Sequence, residues 1–241
     1  PKTEGMKYFP SEQDDLPEIS VAKWRQFIFS SLDPDFEFEE LIKNVEERVG
    51  WMPIEDFNFR EDLSKEYNVK ANWALYCDNY LEGFHIPFIH ADLNAVLDFK
   101  SYGVEIFKYA NLQLGIASND DICFDLPEES KDYGKKIAAY YFWLFPNLML
   151  NFYPWGLSVN IITPVSVNET RVQFRSYVWD ESKLESGAGA DLNKVELEDE
   201  QIVQQVQKGV ASRFYEHGRF SPTMEQGVHH FHTLISDCMS K

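Results

Sequence analysis

The chain has 241 residues, of which 44% are hydrophobic and 15% aromatic, and this is enough apolar material for one sizeable core. Its formal net charge of −18 comes from 40 acidic and 22 basic residues, so it lacks the basic footprint that nucleic-acid binding requires. The sequence has no run of about 18 apolar residues, which predicts no membrane-spanning helix. Its three cysteines are too far apart for a disulfide framework, so we expect a reducing, cytoplasmic setting.

The N-terminal third predicts a loop, a strand, a helix and a second strand. Residues 1–20 are irregular and begin with Pro1, so they read as a connection from something upstream. Val21–Leu32 is rich in aromatic and β-branched residues and predicts a strand, as does the alternating segment Asp56–Lys70. A helix capped near Asp33 is predicted between them, because four apolar residues recur at helical spacing. These residues are Leu41, Ile42, Val45 and Val49.

The stretch NWALYCDNYLEGFHIPFIH, residues 72–90, places two histidines five residues apart with a proline between them. On a regular helix His85 and His90 would point about 140° apart, so their rings would diverge. Pro87 removes a backbone donor and disfavours helix at the residue before it, so we expect the helix to end or kink near His85. Both rings can then turn towards one point, where two neutral imidazoles suit iron or zinc. Two histidines in an aromatic segment can equally belong to a core or a loop.

A carboxylate would complete a 2-His-1-carboxylate set, which leaves positions open for O₂ chemistry on iron(II). No acid lies between His85 and His90. Asp92 is the next acid along the chain, and the acidic run at residues 198–200 is a distant alternative. The residues alone leave both open, and the distant run equally fits the solvated first turn of a helix.

The rest of the chain predicts an antiparallel sheet followed by a long helix. Residues 101–116 suggest one or two short strands, and three strand-like runs separated by turn residues fill residues 138–179. A C-terminal helix follows, with five apolar residues on one face: Ile202, Val203, Val206, Val210 and Phe214. Further on, His229 and His232 could share a helix face as a second metal site or belong to a packed or surface helix. The pattern predicts an α+β domain.

Aromatic residues crowd the first of the three strand runs. Phe145, Asn147 and Met149 share one parity, so alternation would turn them to the same side of a strand. They could form the wall of a substrate pocket or part of an ordinary core. An aromatic wall would suit a planar ring and equally a quaternary ammonium group, through cation–π contact.

The sequence of these segments resembles that of the catalytic domain of the Rieske-type non-haem iron oxygenases, the large (alpha) subunits of ring-hydroxylating oxygenases. That family carries Asn-Trp, then Asp/Glu-Asn, then an acid three residues before a His-x4-His pair. The same order is present here in Asn72-Trp73, Asp78-Asn79, Glu82, His85 and His90. WRQFIFSSLDPD, FPNLMLNFYP and the C-terminal EDEQIVQQVQKG extend the resemblance over most of the chain. It implies a helix-grip (START/Bet v 1-like) antiparallel sheet with a long C-terminal helix.

The resemblance also implies which residues bind the metal. His85 and His90 would be iron ligands, and Asp199 would be the third, because it lies eight residues before the glutamine of the family's ED…VQxG pattern. Its neighbours Glu198 and Glu200 are each one position away and stay as alternatives.

Three further residues receive catalytic roles from the resemblance. Glu82 would be the acid that bridges to the Rieske cluster of a neighbouring subunit. Asp78 and Asn79 would support the ligands, since a group hydrogen-bonded to a ligand histidine fixes its orientation and tunes its basicity.

One departure from the family is large. Family members carry an N-terminal Rieske domain whose [2Fe–2S] cluster is held by two cysteines and two histidines, in Cys-x-His and Cys-x2-His pairs. No cysteine of this sequence has a histidine two or three residues after it. We expect residues 1–20 to be a linker from a missing Rieske domain and residues 21–241 to be the mononuclear iron catalytic domain. Such a chain should bind Fe(II) and substrate but turn over weakly or not at all by itself.

The implied activity uses mononuclear Fe(II) and O₂ on a small organic substrate. It would hydroxylate an aromatic ring, in aromatic hydrocarbon catabolism, or oxidise a C–H bond beside nitrogen in a choline- or carnitine-like quaternary amine. Electrons would come from a reductase or ferredoxin through the Rieske cluster, and the family assembles as a head-to-tail homotrimer. Two alternatives are a non-catalytic helix-grip ligand-binding protein, which has no use for metal ligands, and a zinc hydrolase with the same ligands.

Overall fold

The computed structural model of the chain contains nine strands and six helices in the part that it describes. The described residues are 3–98, 103–118, 121–184, 186–190 and 192–240. The strands are β1 (Ser20–Trp24), β2 (Phe27–Ser31), β3 (Asn58–Val69), β4 (Gly103–Ile106), β5 (Ala110–Ile116), β6 (Ile137–Leu144), β7 (Leu148–Tyr153), β8 (Gly156–Ser166) and β9 (Glu169–Val178). The helices are α1 (Phe38–Val49), α2 (Trp73–Tyr80), α3 (Ile86–Ile89), α4 (Ala91–Val96), α5 (Leu192–Val210) and α6 (Gln226–Met239).

Seven of the strands form one antiparallel sheet in the order β3-β9-β8-β7-β6-β5-β4. Consecutive strands from β4 to β9 are neighbours, which is the meander that the short turns predict. The long helix α5 packs against α2 on one side of this sheet. The predicted α+β architecture, an antiparallel sheet with a long C-terminal helix, is confirmed.

The predicted strand Val21–Leu32 is wrong in one respect, because it is a hairpin of β1 and β2. The turn places Arg25 at a φ of 52°, a conformation that a non-glycine residue adopts only when its surroundings hold it there. The Arg25 guanidinium donates to Glu46 from Nε at 3.1 Å and to Glu55 from Nη1 at 2.9 Å. The next element, α1, is helical as predicted but begins after Glu37 and not near Asp33.

The sheet separates two apolar regions, because alternate strand residues face opposite sides. Phe142 and Phe152 point towards α1 and belong to the larger core. Trp143 and Met149 point the other way and pack with α2, α5 and α6. The cavity described below lies on this second side.

The first of the predicted strand runs is divided in two. Phe145 and Pro146 form a turn between β6 and β7, so the run is a hairpin and not one strand. The predicted C-terminal helix also stops earlier than its apolar pattern, because α5 ends at Val210 and Phe214 lies beyond it, 79% exposed. A separate helix, α6, carries the last histidines.

A buried ionic cluster ties α1 to the strands and loops beneath it. Arg48 is 4% exposed, and its Nε donates to the fully buried Asp132 at 2.5 Å. Its Nη1 donates to Glu105 at 3.0 Å. Lys135 and Lys131 donate to the same two carboxylates, at 2.8 Å and 3.1 Å. The buried Asp132 and the partly exposed Glu105 therefore both have cationic partners.

None of the helices in the described ranges combines the length and the apolar character that crossing a bilayer requires.

Candidate metal centre

The two histidines flank one short helix. α2 begins at its N-cap Asn72, whose side-chain oxygen accepts from the backbone of Ala74 at 3.0 Å. The helix ends at Tyr80, five residues earlier than the expected break near His85. Pro87 does not end α2 but lies in the first turn of α3, where a missing backbone N–H leaves no hydrogen bond unmade.

α3 spans only four residues, so His85 is its N-cap and His90 its C-cap. This geometry turns the two rings to the same side, and the distance between their Nε2 atoms is 3.1 Å. The two rings therefore converge across a broken helix, as predicted. The break itself differs from the prediction, because α2 ends at Tyr80 and Pro87 lies inside the next helix.

α5 places a carboxylate opposite the two rings. Asp199 Oδ1 lies 3.0 Å from His90 Nε2 and 3.5 Å from His85 Nε2. His90 is 1% exposed, while the side chains of His85 and Asp199 are 16% and 15% exposed, so the triad lies inside the protein with a way in from one side. Within the described part of the chain, these residues form the one group of three or more such donors close enough to share an ion.

The spacing of the triad fits a small cation. Ligand atoms about 2.1 Å from one ion lie about 3.0 Å apart at right angles and about 3.4 Å apart at tetrahedral angles. Two of the three separations, 3.0 Å and 3.1 Å, fall in that range, and the third, 3.5 Å, lies just above it. Two imidazoles and one carboxylate suit iron(II), and they also suit zinc.

Neighbouring side chains fix the ligands in a metal-binding orientation. His85 Nδ1 donates to Glu82 Oε1 at 2.6 Å, and His90 Nδ1 donates to Glu198 Oε2 at 2.8 Å. With Nδ1 occupied in this way, Nε2 of each ring is the nitrogen that faces the centre. Asn79 Nδ2 donates to Asp199 Oδ1 at 2.6 Å and holds the third ligand.

The charge of these carboxylates dominates the local electrostatics. Burial by itself would lower the pKa of His85, but hydrogen bonds to Asp199 and Glu82 raise it to about 9. Burial likewise acts to raise the pKa of Asp199, and the two histidines bring it below the usual value. Burial and then the Asp199 charge raise the pKa of Glu196 far above normal and that of Glu200 to about 7. The carboxyl groups around the centre therefore outnumber the histidines that could balance their charge.

A cavity opens beside the triad, between the sheet and helices α2 and α5. Its wall combines three carboxylates, four tyrosines and four side-chain amides with apolar residues. Besides the two histidines, the polar and aromatic lining residues are Glu82, Glu196, Asp199, Tyr76, Tyr80, Tyr141, Tyr153, Asn79, Gln113, Asn151 and Asn160. The loop after β9 covers one side through Ala188, and the Trp155 indole holds that loop by donating to the Gly189 carbonyl at 3.2 Å.

The sequence-predicted site residues divide into two groups. The structure brings Glu82 and Asn79 to the triad, together with Asp199 among the three acids at 198–200. Asp78 lies instead against α6, where it accepts from His232 Nε2 at 2.8 Å. Asp92 is exposed and forms an ion pair with Lys194, away from both histidines.

The predicted pocket residues do not line this cavity. Phe145 and Asn147 precede β7, and the Asn147 side chain donates to the Ile162 carbonyl at 2.5 Å. Met149 faces the right side of the sheet but lies further along it, packed beneath α6. The cavity is lined by residues of the same parity nearer the end of β7, Asn151 and Tyr153. Parity alone could not tell which end of the strand borders the cavity.

Sequence analysis also missed Glu196 and Tyr76. Glu196 lies three residues before Asp199, which puts both on one face of α5. Tyr76 Oη donates to Glu196 Oε2 at 2.9 Å. Helical spacing from Asp199 was the signal that could have found Glu196.

The C-terminal histidines have partners of a different kind. His230 Nδ1 lies 2.8 Å from Asn111 Oδ1, and His232 pairs with Asp78. The described structure gives His229 and His232 no third donor within reach of a shared ion. Their surroundings are those of a packed helix.

Comparison with protein families gives a match over most of the chain. Residues 56–241 match the family described as the ring hydroxylating alpha subunit (catalytic domain). Chloroplastic choline monooxygenase of Arabidopsis thaliana is 28% identical over 249 residues, which cover 96% of this chain and 57% of that protein. The carnitine monooxygenase oxygenase subunit of Escherichia coli K12 is 27% identical, covering 97% of this chain and 64% of that one. The chain thus spans little more than half the length of such plant relatives.

Solved structures share the fold. A quaternary ammonium Rieske monooxygenase superposes with a TM-score of 0.72 at 21% identity. That structure concerns carnitine oxidation by gut microbiota and inter-subunit electron transfer. The match covers 91% of this chain and 61% of that one. Dicamba monooxygenase bound to dicamba superposes with a TM-score of 0.55 at 16% identity, over 92% of this chain and 69% of the other.

Proposed function

The chain belongs to the ring-hydroxylating alpha-subunit family, whose catalytic domain it contains, and we propose that it binds one Fe(II) and uses O₂ to oxidise a C–H bond of a quaternary ammonium compound. The observation that carries this proposal is the convergence of His85, His90 and Asp199 on one point beside a cavity. The reaction class places one oxygen atom in the C–H bond. The other oxygen leaves as water, with two electrons and two protons from an external donor.

Fe(II), when bound, supplies the reduction of O₂ that makes an oxidant strong enough for a C–H bond. Residues of this chain orient the side chains that would bind it. Glu82 and Glu198 hold the Nδ1 protons of the two ligand histidines, which leaves both Nε2 lone pairs available to the metal. Asn79 fixes Asp199 Oδ1. The cavity wall then positions the substrate and limits access of water.

Two observations favour a quaternary ammonium substrate over an aromatic hydrocarbon. The choline and carnitine monooxygenases align over 96% and 97% of this chain. The cavity wall also carries three carboxylates and four tyrosines, and such a wall attracts an organic cation more than a neutral ring. Aromatic hydrocarbon catabolism is therefore the weaker of the two predicted activities.

Electron supply is a further part of the proposal. We propose that a [2Fe–2S] cluster outside this chain segment delivers electrons from a reductase or ferredoxin, and that Glu82 lies on the path to the metal. Its hydrogen bond to a ligand histidine supports that role. Phe84 and Phe88, close to Glu82 in the chain, are 50% and 81% exposed, which fits a face covered by another subunit of a homotrimer.

We also propose a reducing compartment such as the cytoplasm. Cys77, Cys123 and Cys238 are all free thiols, as expected where disulfides do not persist.

The two alternatives are less favoured. A non-catalytic ligand carrier has no use for three metal donors that are each held by a neighbouring side chain, and the relatives are enzymes. A zinc hydrolase would use the same ligands, so the nature of the metal and the fate of oxygen separate it from an oxygenase.

The test uses ¹⁸O-labelled hydrogen peroxide, because peroxide carries both the oxygen atom and the two electrons and needs no cluster. The Fe(II)-loaded chain is mixed with choline, and labelled product is measured by mass spectrometry beside the double variant His85→Ala/His90→Ala. We expect labelled product from the wild type alone. Iron-loaded wild type that yields no more label than the double variant would contradict the proposal.

A further inference from the structure

Among the described residues that line the cavity, Glu196 is the one carboxylate that neither belongs to the triad nor hydrogen-bonds to it. It lies one helical turn before Asp199 on α5 and faces the same cavity. Its hydrogen-bond partner is a neutral group, since Tyr76 Oη donates to its Oε2 at 2.9 Å. A buried carboxylate with a single neutral donor keeps its charge only if a cation comes close to it.

The charge balance of the cavity shows why Glu196 stands apart. The wall has three carboxylates, those of Glu82, Asp199 and Glu196, and no lysine or arginine among its described lining residues. A divalent ion at the triad would balance Asp199 and Glu82, which flank it. Glu196 is then the described wall carboxyl that no cation balances, so it carries a negative charge only when a cation binds beside it.

Tyrosine rings surround the same carboxylate. Tyr76 binds it directly, and Tyr141 and Tyr153 lie close enough that its charge, added to the larger effect of burial, raises the pKa of both phenols. The Tyr141 and Tyr153 rings meet edge to face, with centroids 5.9 Å apart and planes at 78°. Both rings line the cavity, and this aromatic surface beside a carboxylate is suited to a quaternary ammonium group.

We infer that Glu196, held by Tyr76 and flanked by Tyr141 and Tyr153, is the residue that selects the substrate: it binds the ammonium group and favours substrates with no carboxylate of their own. This inference rests on the proposed function, because it names what the same cavity accepts. Glu196 is a specificity residue. Its hydrogen bond goes to Tyr76 and not to a residue of the triad.

The preference against zwitterions follows from the same wall. The carboxylate of a carnitine-like substrate would enter a cavity lined by three acids. The amides and phenols that could hydrogen-bond to it there are neutral. The nearest cation on α5, Lys194, is half exposed and paired with Asp92 outside the cavity lining. A choline-like cation with a hydroxyl group adds no negative charge and can hydrogen-bond to the amides of Asn151 or Asn160.

The test is equilibrium binding of three probes to the full chain under anaerobic conditions, measured by calorimetry with and without Fe(II). The probes are choline, its uncharged carbon isostere 3,3-dimethyl-1-butanol, and L-carnitine. We expect choline to bind at least about tenfold more tightly than either of the others. The isostere has the same shape without the charge, so this series tests the inference even without a variant.

Two variants locate the effect. Glu196→Gln keeps the shape and the ability to accept from Tyr76, and we expect it to weaken choline binding about tenfold while changing the isostere less than about twofold. Glu47→Gln removes the same charge from the exposed side of α1 and should leave all three probes unchanged. Iron content and thermal unfolding of each variant report on folding.

Several results would overturn the inference. They are equal binding of choline and its isostere by the wild type, carnitine binding as tight as choline binding, and unchanged choline binding in a folded Glu196→Gln variant. Iron-loaded wild type that binds none of the three probes would also overturn it and would leave the metal centre intact. Wild type that fails to bind iron contradicts the proposed function instead, and the metal-free binding series then still decides the role of Glu196.

Discussion

Two clusters of ionisable side chains lie on opposite sides of the sheet, and they differ in charge balance. On the α1 side, Asp132 and Glu105 share Arg48, Lys131 and Lys135, so two carboxylates meet three cations. On the α5 side, four carboxylates surround two histidines: Glu82, Glu196, Glu198 and Asp199.

The difference indicates what each cluster is for. A cluster whose carboxylates are all balanced by cations of the same chain satisfies its own members and holds elements together. A cluster with surplus negative charge inside a protein is destabilising unless a cation from outside joins it. The α1 cluster therefore fits a structural role, and the α5 cluster fits the site that we propose for two cations, a metal and an ammonium group.

Breaking the balanced cluster should have the largest effect on stability. Arg48→Met leaves Asp132 without its buried cation and with only the half-exposed Lys135, and we expect the free energy of unfolding to fall by about 3–5 kcal/mol. The matched control is Arg60→Met, which removes an arginine from ion pairs with the exposed Asp62 and Glu181 and should change stability far less, because water screens these charges. Urea unfolding of the metal-free chain measures both. Equal losses would contradict the distinction between the clusters.

The balanced cluster should also show a defined dependence on pH. Burial acts to raise the pKa of Asp132, but hydrogen bonds from Lys135 and Arg48 bring it below the usual value. A carboxyl whose pKa is depressed on folding stabilises the protein above its unfolded pKa of about 3.9 and loses that contribution as pH falls through the folded value. We expect Asp132→Asn to cost about 1.5–3 kcal/mol at pH near 7.

That cost should stay constant down to about pH 5 and shrink only below about pH 4. Urea unfolding of wild type and Asp132→Asn at a series of pH values gives the difference directly. If the difference already disappeared between pH 7 and pH 5, the ion pairs would not be what holds Asp132.

The acid-rich cluster should respond in metal affinity more than in stability. Glu198 holds His90 Nδ1, and removing such a support weakens metal binding about 10–100-fold. We expect Glu198→Ala to do so with little change in the unfolding of the metal-free chain, because it also relieves repulsion among the carboxylates. Anaerobic Fe(II) titration measures the affinity.

Asp92→Ala is the matched control for this change. Asp92 is exposed, pairs with Lys194 and was the other candidate ligand in the sequence, so iron affinity should not change. A larger loss for Asp92→Ala than for Glu198→Ala would move the third ligand to Asp92.

The smallest effect is expected at the edge of the acid-rich cluster. His232 is 47% exposed, and its pair with Asp78 joins α6 to α2 outside the triad. His232→Gln should cost less than about 1 kcal/mol and leave iron affinity within about twofold. A tenfold loss of iron affinity would instead make Asp78 part of the metal centre.

The sequence predicted much of this chemistry but little of its placement. The order of residues from Asn72 to His90 sufficed to single out the two histidines whose rings the structure brings together, because the family's motif is local to one segment. Asp199 depended on the resemblance alone, since nothing local separates it from Glu198 and Glu200. The structure separates them, because only Asp199 lies within 3.5 Å of both Nε2 atoms.

The pocket was predicted less well, for a physical reason. Strand parity says which side a residue faces but not which neighbour covers it, so Met149 lies under α6 while Asn151 and Tyr153, on the same strand, reach the cavity. That choice depends on where α5 and α6 cross the sheet. The Arg25 turn was missed for a similar reason, because Glu46 and Glu55 hold it from a distant helix and loop.

The central claim, that the acid-rich cluster is an iron site, is tested most directly by iron content. Iron and acid-labile sulfide per chain are measured after anaerobic reconstitution with Fe(II), for the wild type and for His85→Ala/His90→Ala. The account predicts about one iron per wild-type chain, no sulfide, and loss of iron in a double variant that still folds. No bound iron in the wild type, or iron unchanged in the double variant, would contradict it.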